Sequence, residues 1–221
     1  MIINQLKITL VVSNILKTAF FVSTILLVSC SSTRSPVESK TPKLPPTQVN
    51  LKLNICPMSV SNAPPSIDRK VQRLSAVACV NDVEILVAPA PNACLSSGFG
   101  FRHGRQHDGL DYQSKPAGTV IAAAKGTVIN KVFRIQDYGN WIIIDHGNGV
   151  YSSYAHLKSV SSKISINSKV KRGQVLGQMG ETGGAAQAIH LHFEVRKGDY
   201  DNPKKWWGLT ALNSFKLPEK C

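Results

Sequence analysis

The sequence is short of acidic residues: 13 Asp and Glu stand against 26 Lys and Arg among 221 residues, for a formal net charge of +13. This excess favours anionic partners such as nucleic acids, phospholipid head groups or acidic wall polymers, although an ordinary soluble protein can also have a basic surface. No run rich in Lys and Arg is interleaved with aromatic residues. We therefore expect no nucleic-acid partner.

The sequence also lacks an uninterrupted apolar run long enough for a membrane span. Residues 18–28 (TAFFVSTILLV) are apolar but fall short of the roughly 20 residues that a bilayer requires. If residues 8–28 formed one span, Lys17 would lie near its middle. The short apolar run is typical of a secretory signal peptide, and a retained membrane helix is the alternative.

The apolar run ends in Leu27-Val28-Ser29-Cys30. This tetrapeptide resembles a bacterial lipobox, which implies a signal peptide over residues 1–29 and a lipid anchor on Cys30; the alternative is a cysteine that happens to end an apolar segment. Several acyl chains would hold the protein firmly on a membrane. Residues 30–50 are rich in Ser, Thr and Pro and indicate a flexible tether. The Ser after Cys30 suits an outer-membrane lipoprotein that faces the periplasm.

No Cys-x-x-Cys pair occurs among the other four cysteines, which argues against a thiolate zinc site. An even number of cysteines in an exported protein predicts two disulfides, and three pairings are possible. The sequence alone does not select one of them. The four residues are Cys56, Cys79, Cys94 and Cys221.

Sustained helical periodicity is absent after the signal, and residues 66–80 are the one candidate helix. Short β-branched or aromatic runs separated by turn signals predict instead an all-β fold, an antiparallel sandwich or barrel-like sheet. The predicted strands are residues 83–87, 120–123, 127–135, 141–145, 150–157, 174–179 and 191–195.

The first group with metal-binding chemistry is His107-Asp108-Gly109-Leu110-Asp111. On a flat strand, two residues four apart lie about 13 Å from each other, too far to share one ion. His107 and Asp111 can therefore share a metal only if the chain bends between them, and Gly109 permits a bend. Taken alone, such a pair is more often an accident of the surface.

The second group is His190-Leu191-His192-Phe193-Glu194, in which polar and apolar residues alternate. This pattern predicts a strand with both imidazoles on one face, about 6.6 Å apart along the backbone. Both rings could then reach one reactive centre. The alternative is a pair of solvated histidines on the outer face of a sheet.

The remaining histidines stand alone. His156 is predicted to share a strand face with Tyr154, and His103 and His146 are interpreted as surface residues without a site role. Two imidazoles and one carboxylate around zinc leave a fourth position open for water, as in catalytic sites. Further unligated histidines could accept the proton of the water and bind the developing oxyanion.

The sequence from residue 97 to residue 195 resembles the lysostaphin/LytM-type zinc peptidases, which cleave peptidoglycan cross-bridges. The motifs that carry the resemblance occur in the order of that family: Ser-Gly-Phe-Gly-Phe-Arg at 97–102, His-Asp-Gly-Leu-Asp at 107–111, Tyr-Ala-His-Leu at 154–157, Lys-Arg-Gly-Gln-Val-Leu-Gly at 171–177 and His-Leu-His-Phe-Glu at 190–194. The segment before His190, residues 181–189, is longer than in a minimal member of this family.

The resemblance implies that His107, Asp111 and His192 bind Zn2+, and that His156 and His190 act on the water and the oxyanion. It implies a compact LytM-type antiparallel domain over residues 96–210, with a lead-in at 51–95 and a tail at 211–221. The implied function is hydrolysis of peptide cross-links in peptidoglycan, between D-alanine and a diamino acid or within a glycine bridge. Family members that have lost catalysis act as activators of amidases, which is the alternative.

Overall fold

The computed structural model describes residues 51–133 and 136–221, and their regular structure is almost entirely β-strand. The predicted signal peptide, Cys30 and the whole predicted tether lie outside the described residues, as do residues 134 and 135 of a predicted strand. No helix within the described ranges is long and apolar enough to cross a membrane. Two short 3-10 turns are present, Lys205–Gly208 and Ser214–Lys216.

The described part of the chain contains seventeen strands. The bounds of most predicted strands agree with the observed bounds within a few residues. They are β1 Ser66–Ile67, β2 Lys70–Val71, β3 Val77–Val80, β4 Val83–Leu86, β5 Cys94–Ser97, β6 Gly100–Arg102, β7 Arg105–His107, β8 Leu110–Gln113, β9 Thr119–Ile121, β10 Gly126–Phe133, β11 Asn140–Asp145, β12 Val150–Ala155, β13 Leu157–Val160, β14 Lys169–Val170, β15 Val175–Met179, β16 Leu191–Lys197 and β17 Thr210–Leu212.

The largest sheet is antiparallel and has the order β14-β10-β11-β12-β16-β8-β5, with β17 also paired to β16. A smaller antiparallel sheet has the order β13-β15-β9. Apolar side chains of both sheets, such as Ile142, Phe193 and Leu176, belong to one buried cluster. The predicted all-β antiparallel fold is confirmed.

The opposite face of the large sheet carries a second apolar cluster, which includes Trp141, Ile143 and Trp206. Successive side chains of a strand point to opposite faces. In β16, Leu191 and Phe193 therefore enter the main core, whereas His192 lies on the face of the second cluster. The fold thus places the histidine on the side of the sheet that is not covered by β13, β15 and β9.

Two disulfides brace the lead-in, as the cysteine count predicts: one lies within the lead-in and the other joins it to the tail. They join Cys56 to Cys94 and Cys79 to Cys221. The guanidinium of Arg73 is largely buried and donates to the carbonyls of Phe215, Leu217 and Pro218 near the end of the chain. The two ends of the described chain are therefore anchored to each other.

The helix predicted for residues 66–80 is wrong, because this segment forms β1, β2 and β3. Leu74, one of the apolar residues that gave the helical spacing, is 75% exposed. Val71 is buried against the core and donates its backbone N–H to the carbonyl of Leu53. Tertiary pairing therefore overrides a weak local pattern in this segment.

Candidate metal centre and groove

The structure brings His192 together with His107 and Asp111, which lie some 80 residues earlier in the sequence. Asp111 and His192 are directly opposite each other in the register of β8 and β16, and His107 ends β7. Asp111 Oδ1 lies 3.2 Å from His107 Nε2 and 2.9 Å from His192 Nδ1, and these two nitrogens are 3.1 Å apart. All three residues are buried.

The far nitrogen of each ring is hydrogen-bonded to a group that can only accept. His107 Nδ1 lies 2.7 Å from the carbonyl of Gly98, and His192 Nε2 lies 2.9 Å from Glu194 Oε1. These nitrogens therefore carry hydrogens, and the other nitrogen of each ring faces Asp111. The three facing atoms repel one another unless a proton or a metal cation lies between them.

The spacing of these atoms fits zinc. A tetrahedral zinc ion with bonds of about 2.1 Å holds its ligand atoms about 3.4 Å apart. The observed separations of 2.9 to 3.2 Å lie close to that value. Two imidazoles and one carboxylate also form the donor set of a catalytic zinc site with one position left for water.

The electrostatics of this cluster shift the pKa values of His192 and Asp111. Burial lowers the pKa of His192, but its hydrogen bonds and charge interactions with Asp111 and Glu194 outweigh this and raise the pKa to about 10. Burial raises the pKa of Asp111, but hydrogen bonds to His107 and His192 bring it well below its ordinary value. A metal ion that binds to His192 must therefore displace a proton. The affinity of the site for the metal ion consequently rises with pH.

Gly109 lies between His107 and Asp111, where the sequence predicts a bend of the chain. The structure shows a different reason why glycine is required at this position. A Cβ at this position would lie 2.6 Å from the carbonyl oxygen of Phe193 and 2.8 Å from His192 Cε1. The absence of a side chain allows the 108–109 turn to approach β16. Close approach, rather than backbone freedom, is what requires glycine here.

A second layer of residues positions the His192 ring. Glu194 accepts hydrogen bonds from His192, from the hydroxyl of Tyr138 and, at 2.6 Å, from Arg196 Nε. Arg196 also donates to Asp108 Oδ2 at 2.9 Å and lies over the ring of Trp206. None of these roles is predicted from the sequence, although the alternation of His192, Glu194 and Arg196 along one strand face is a signal for them.

His156 and His190 lie beside the three residues, with their ring centroids 4.6 Å apart. His156 Nδ1 donates to the carbonyl of Thr182 and His190 Nδ1 to that of Ala188, both at 2.8 Å. Their Nε2 atoms therefore keep free lone pairs. Burial lowers the pKa of His156 to about 4 and also lowers that of His190, so both rings are neutral at pH 7.

The prediction that Tyr154 and His156 share a face is wrong. Tyr154 lies in the main core, whereas the ring of His156 is 5.9 Å from that of His192. His156 has a φ of +60°, which interrupts the strand between β12 and β13 and breaks the alternation. A left-handed backbone is costly for a residue other than glycine and occurs most often at functional sites.

The other two histidines differ from each other. His103 is exposed, as predicted. The interpretation of His146 as a surface residue is wrong, because it is 8% exposed and its ring bonds the carbonyl of Lys125 and the hydroxyl of Ser152. Burial lowers its pKa to about 4. Its position beside the 147–149 turn gave no sign of this burial.

The metal centre opens into a groove. One cavity of about 310 Å³ lies over the five predicted site residues, with Tyr138 and Trp207 also in its lining. A second cavity of about 340 Å³ shares Asp111, His190, Arg102 and Arg105 with the first. The arrangement can hold a divalent cation, present two neutral imidazoles to a substrate, and accommodate an extended chain.

Comparison with known proteins agrees with this geometry. Residues 105–203, which include all five site residues, match the profile of peptidase family M23. The chain is 37% identical over 124 residues to the DD-carboxypeptidase/endopeptidase Mpg of Neisseria meningitidis, which covers 53% of this chain and 28% of that protein. It is 35% identical over 109 residues to the murein hydrolase activator NlpD of Escherichia coli, covering 49% of this chain and 27% of that protein.

Among solved structures, the chain is similar to a zinc-containing peptidase from Vibrio cholerae, with 25% identity, a TM-score of 0.49, and coverage of 61% of this chain and 40% of that one. The chain matches less than a third of the length of the two curated relatives. The match to the family is confined to the region that holds the candidate metal centre. Over residues 105–203, the chain therefore resembles peptidase family M23, in agreement with the resemblance that the sequence motifs indicate.

Proposed function

We propose that the protein is a zinc metalloendopeptidase that hydrolyses peptide cross-links in bacterial peptidoglycan. The observation that carries the proposal is the convergence of three potential ligand atoms, from His107, Asp111 and His192, within 3.2 Å of one another. Support also comes from the relative in Neisseria meningitidis, whose name describes a carboxypeptidase and endopeptidase.

In this proposal His107 Nε2, Asp111 Oδ1 and His192 Nδ1 hold the zinc ion. Bound zinc would lower the pKa of a water molecule to about 7 and polarise the scissile carbonyl. Glu194 keeps the hydrogen of His192 on Nε2 and so directs the Nδ1 lone pair to the metal. Arg102 donates to the second oxygen of Asp111 at 3.3 Å, which fixes the plane of that carboxylate.

His156 and His190 would handle the protons of the reaction. Each keeps its hydrogen on Nδ1 and offers an Nε2 lone pair, so either imidazole can accept a proton from the attacking water. The imidazolium formed in this way can donate to the developing negative charge on the amide oxygen, or pass its proton to the leaving amine. The left-handed backbone of His156 supports a functional role for its position.

The second candidate function is that of a non-catalytic wall-binding protein that activates amidases. The 35% identity to a murein hydrolase activator favours it. The presence of both metal-site and helper histidines favours the enzyme, because an activator has no need of a water-activating centre. Metal content and hydrolysis separate the two.

The test uses the purified protein with zinc and isolated peptidoglycan. We expect about one zinc ion per chain and the release of soluble fragments, with both lost in His192→Ala and both kept in His103→Ala, a matched change at an exposed histidine. Mass spectrometry of the fragments identifies the cross-link, between D-alanine and a diamino acid or within a glycine bridge. A zinc-free protein that releases nothing alone but stimulates an amidase would support the activator instead.

We also propose that the chain is an exported lipoprotein of the outer membrane facing the periplasm, anchored through Cys30 after cleavage of residues 1–29. Residues 30–50 would act as the tether, 51–95 as the lead-in, 96–210 as the catalytic domain and 211–221 as the tail. Incorporation of labelled palmitate in wild type but not in Cys30→Ser tests the anchor. Equal labelling of both proteins would contradict it.

A further inference from the structure

The hairpin formed by β6 and β7 brings two arginines to the rim of the groove. Arg102 and Arg105 line both cavities, on either side of the turn at Gly104. Arg102 is engaged with Asp111. Arg105 is exposed, and within residues 51–133 and 136–221 it has neither an ion-pair partner nor a side-chain hydrogen bond.

The charged side chains that line the second cavity are mostly positive. Apart from Asp111, its lining residues among those described contain no acidic group, and they include the neutral polar side chains of Ser61, Ser96, Gln113 and Gln187. Asp111 is already committed to Arg102 and to the metal centre. The side chains that line this cavity therefore carry a net positive charge, and a cleft with low-dielectric walls concentrates the field of such charges.

The walls of this cavity are held in place by the lead-in. Gly98 N–H donates to the carbonyl of Ser61 at 2.8 Å, and Arg69 donates to that of Met58 at 2.6 Å. The Cys56–Cys94 disulfide ties the same segment to β5. The cavity is thus part of the folded architecture rather than a gap between loose loops.

We infer that this second cavity binds a carboxylate of the substrate peptide, with Arg105 as its charge partner, while the scissile amide lies at the metal centre. The inference rests on the proposed function and specifies which chemical group beside the cleaved bond is recognised. A guanidinium presents parallel N–H donors that match a carboxylate, and the neutral hydroxyls and amides around it leave the charge of Arg105 available.

The test compares two synthetic cross-linked stem peptides that differ only in having a free carboxylate or a carboxamide at one position next to the cleaved bond. For wild type with zinc we expect kcat/KM to be at least about tenfold higher for the carboxylate form. Arg105→Gln should raise KM for this form by about tenfold, leave kcat unchanged, and not affect the amidated peptide. Arg105→Lys should retain part of the preference.

Asp137→Asn is the matched control, because Asp137 also lines the groove and is exposed, yet carries the opposite charge. It should leave the preference for the carboxylate intact. Equal losses on both peptides in Arg105→Gln, or no preference in wild type, would overturn the inference. If wild type cleaves neither peptide, the proposed function fails, and calorimetric binding of the same two peptides to wild type and Arg105→Gln still decides whether the cavity selects a carboxylate.

Discussion

At the residue scale, Glu194 is the side chain on which the orientation of the candidate metal centre most depends. It is fully buried, and it links His192 to Tyr138 and Arg196. Glu194→Gln keeps an acceptor for His192 but removes the charge that Arg196 needs. We expect zinc affinity, measured by chelator competition, to fall by about 10- to 100-fold. Glu84→Gln, a change at a half-exposed carboxylate paired with Arg172, is the control and should leave zinc affinity unaltered.

His146 gives a prediction about pH, since its pKa is lowered to about 4 by burial. Between this value and the ordinary pKa of about 6.5, the unfolded chain binds a proton that the folded protein does not. The free energy of unfolding therefore rises with pH in this window: the contribution is complete above pH 6.5 and is lost as the pH falls towards 4. Over the whole window it amounts to about 3 kcal/mol.

The buried His146 ring takes part in a chain of hydrogen bonds. Ser152 can donate to the neutral ring, and Tyr154, which accepts from the N–H of Ala123, can donate to Ser152. Denaturant unfolding from pH 4.5 to 7.5 should show a shallower pH dependence in His146→Gln than in wild type. His156 and His190 add to the slope in both proteins, and His103→Gln should retain the wild-type slope. Identical slopes in wild type and His146→Gln would contradict the prediction.

At the scale of elements, the approach of the 108–109 turn to β16 determines whether the metal ligands meet. Gly109→Ala would force the new methyl group against Phe193 and His192. We expect a loss of stability of about 1–3 kcal/mol together with weaker zinc binding, measured by denaturation and chelator competition. Gly184→Ala, where a Cβ meets nothing closer than 4.0 Å, should change neither; equal effects of the two substitutions would contradict a role for close approach.

The sequence was sufficient to predict β11, β12 and β16, because their alternation or continuous apolar runs reflect the two faces of the large sheet. It did not predict the segment at 66–80, where pairing with distant residues decides the structure. It brought His107, Asp111 and His192 into one hypothesis only through their residue types and a family resemblance. The distances between them depend on the pairing of β8 with β16, which no local pattern contains.

At the scale of the whole molecule, one disulfide joins the lead-in to the tail and the other closes a loop within the lead-in. Cys79 and Cys221 are 142 residues apart, and Cys56 and Cys94 are 38 apart. The longer loop loses more entropy on closure, so Cys79→Ser/Cys221→Ser should lower the free energy of unfolding by about 2–5 kcal/mol. Neither Cys79 nor Cys221 lines either groove cavity, so the KM for a carboxylate-bearing peptide should stay close to that of wild type.

The Cys56–Cys94 disulfide leads to the opposite expectation. It holds the segment that carries Met58 and Ser61, which line the second cavity. Cys56→Ser/Cys94→Ser should therefore lower stability by a similar or smaller amount, because its loop is shorter, but should raise KM several-fold with zinc content unchanged. The measurements are thermal unfolding, metal analysis and peptide kinetics on the two double variants. If both disulfides altered KM equally, the lead-in would act on the groove only through global stability, and its role as a wall of the second cavity would be refuted.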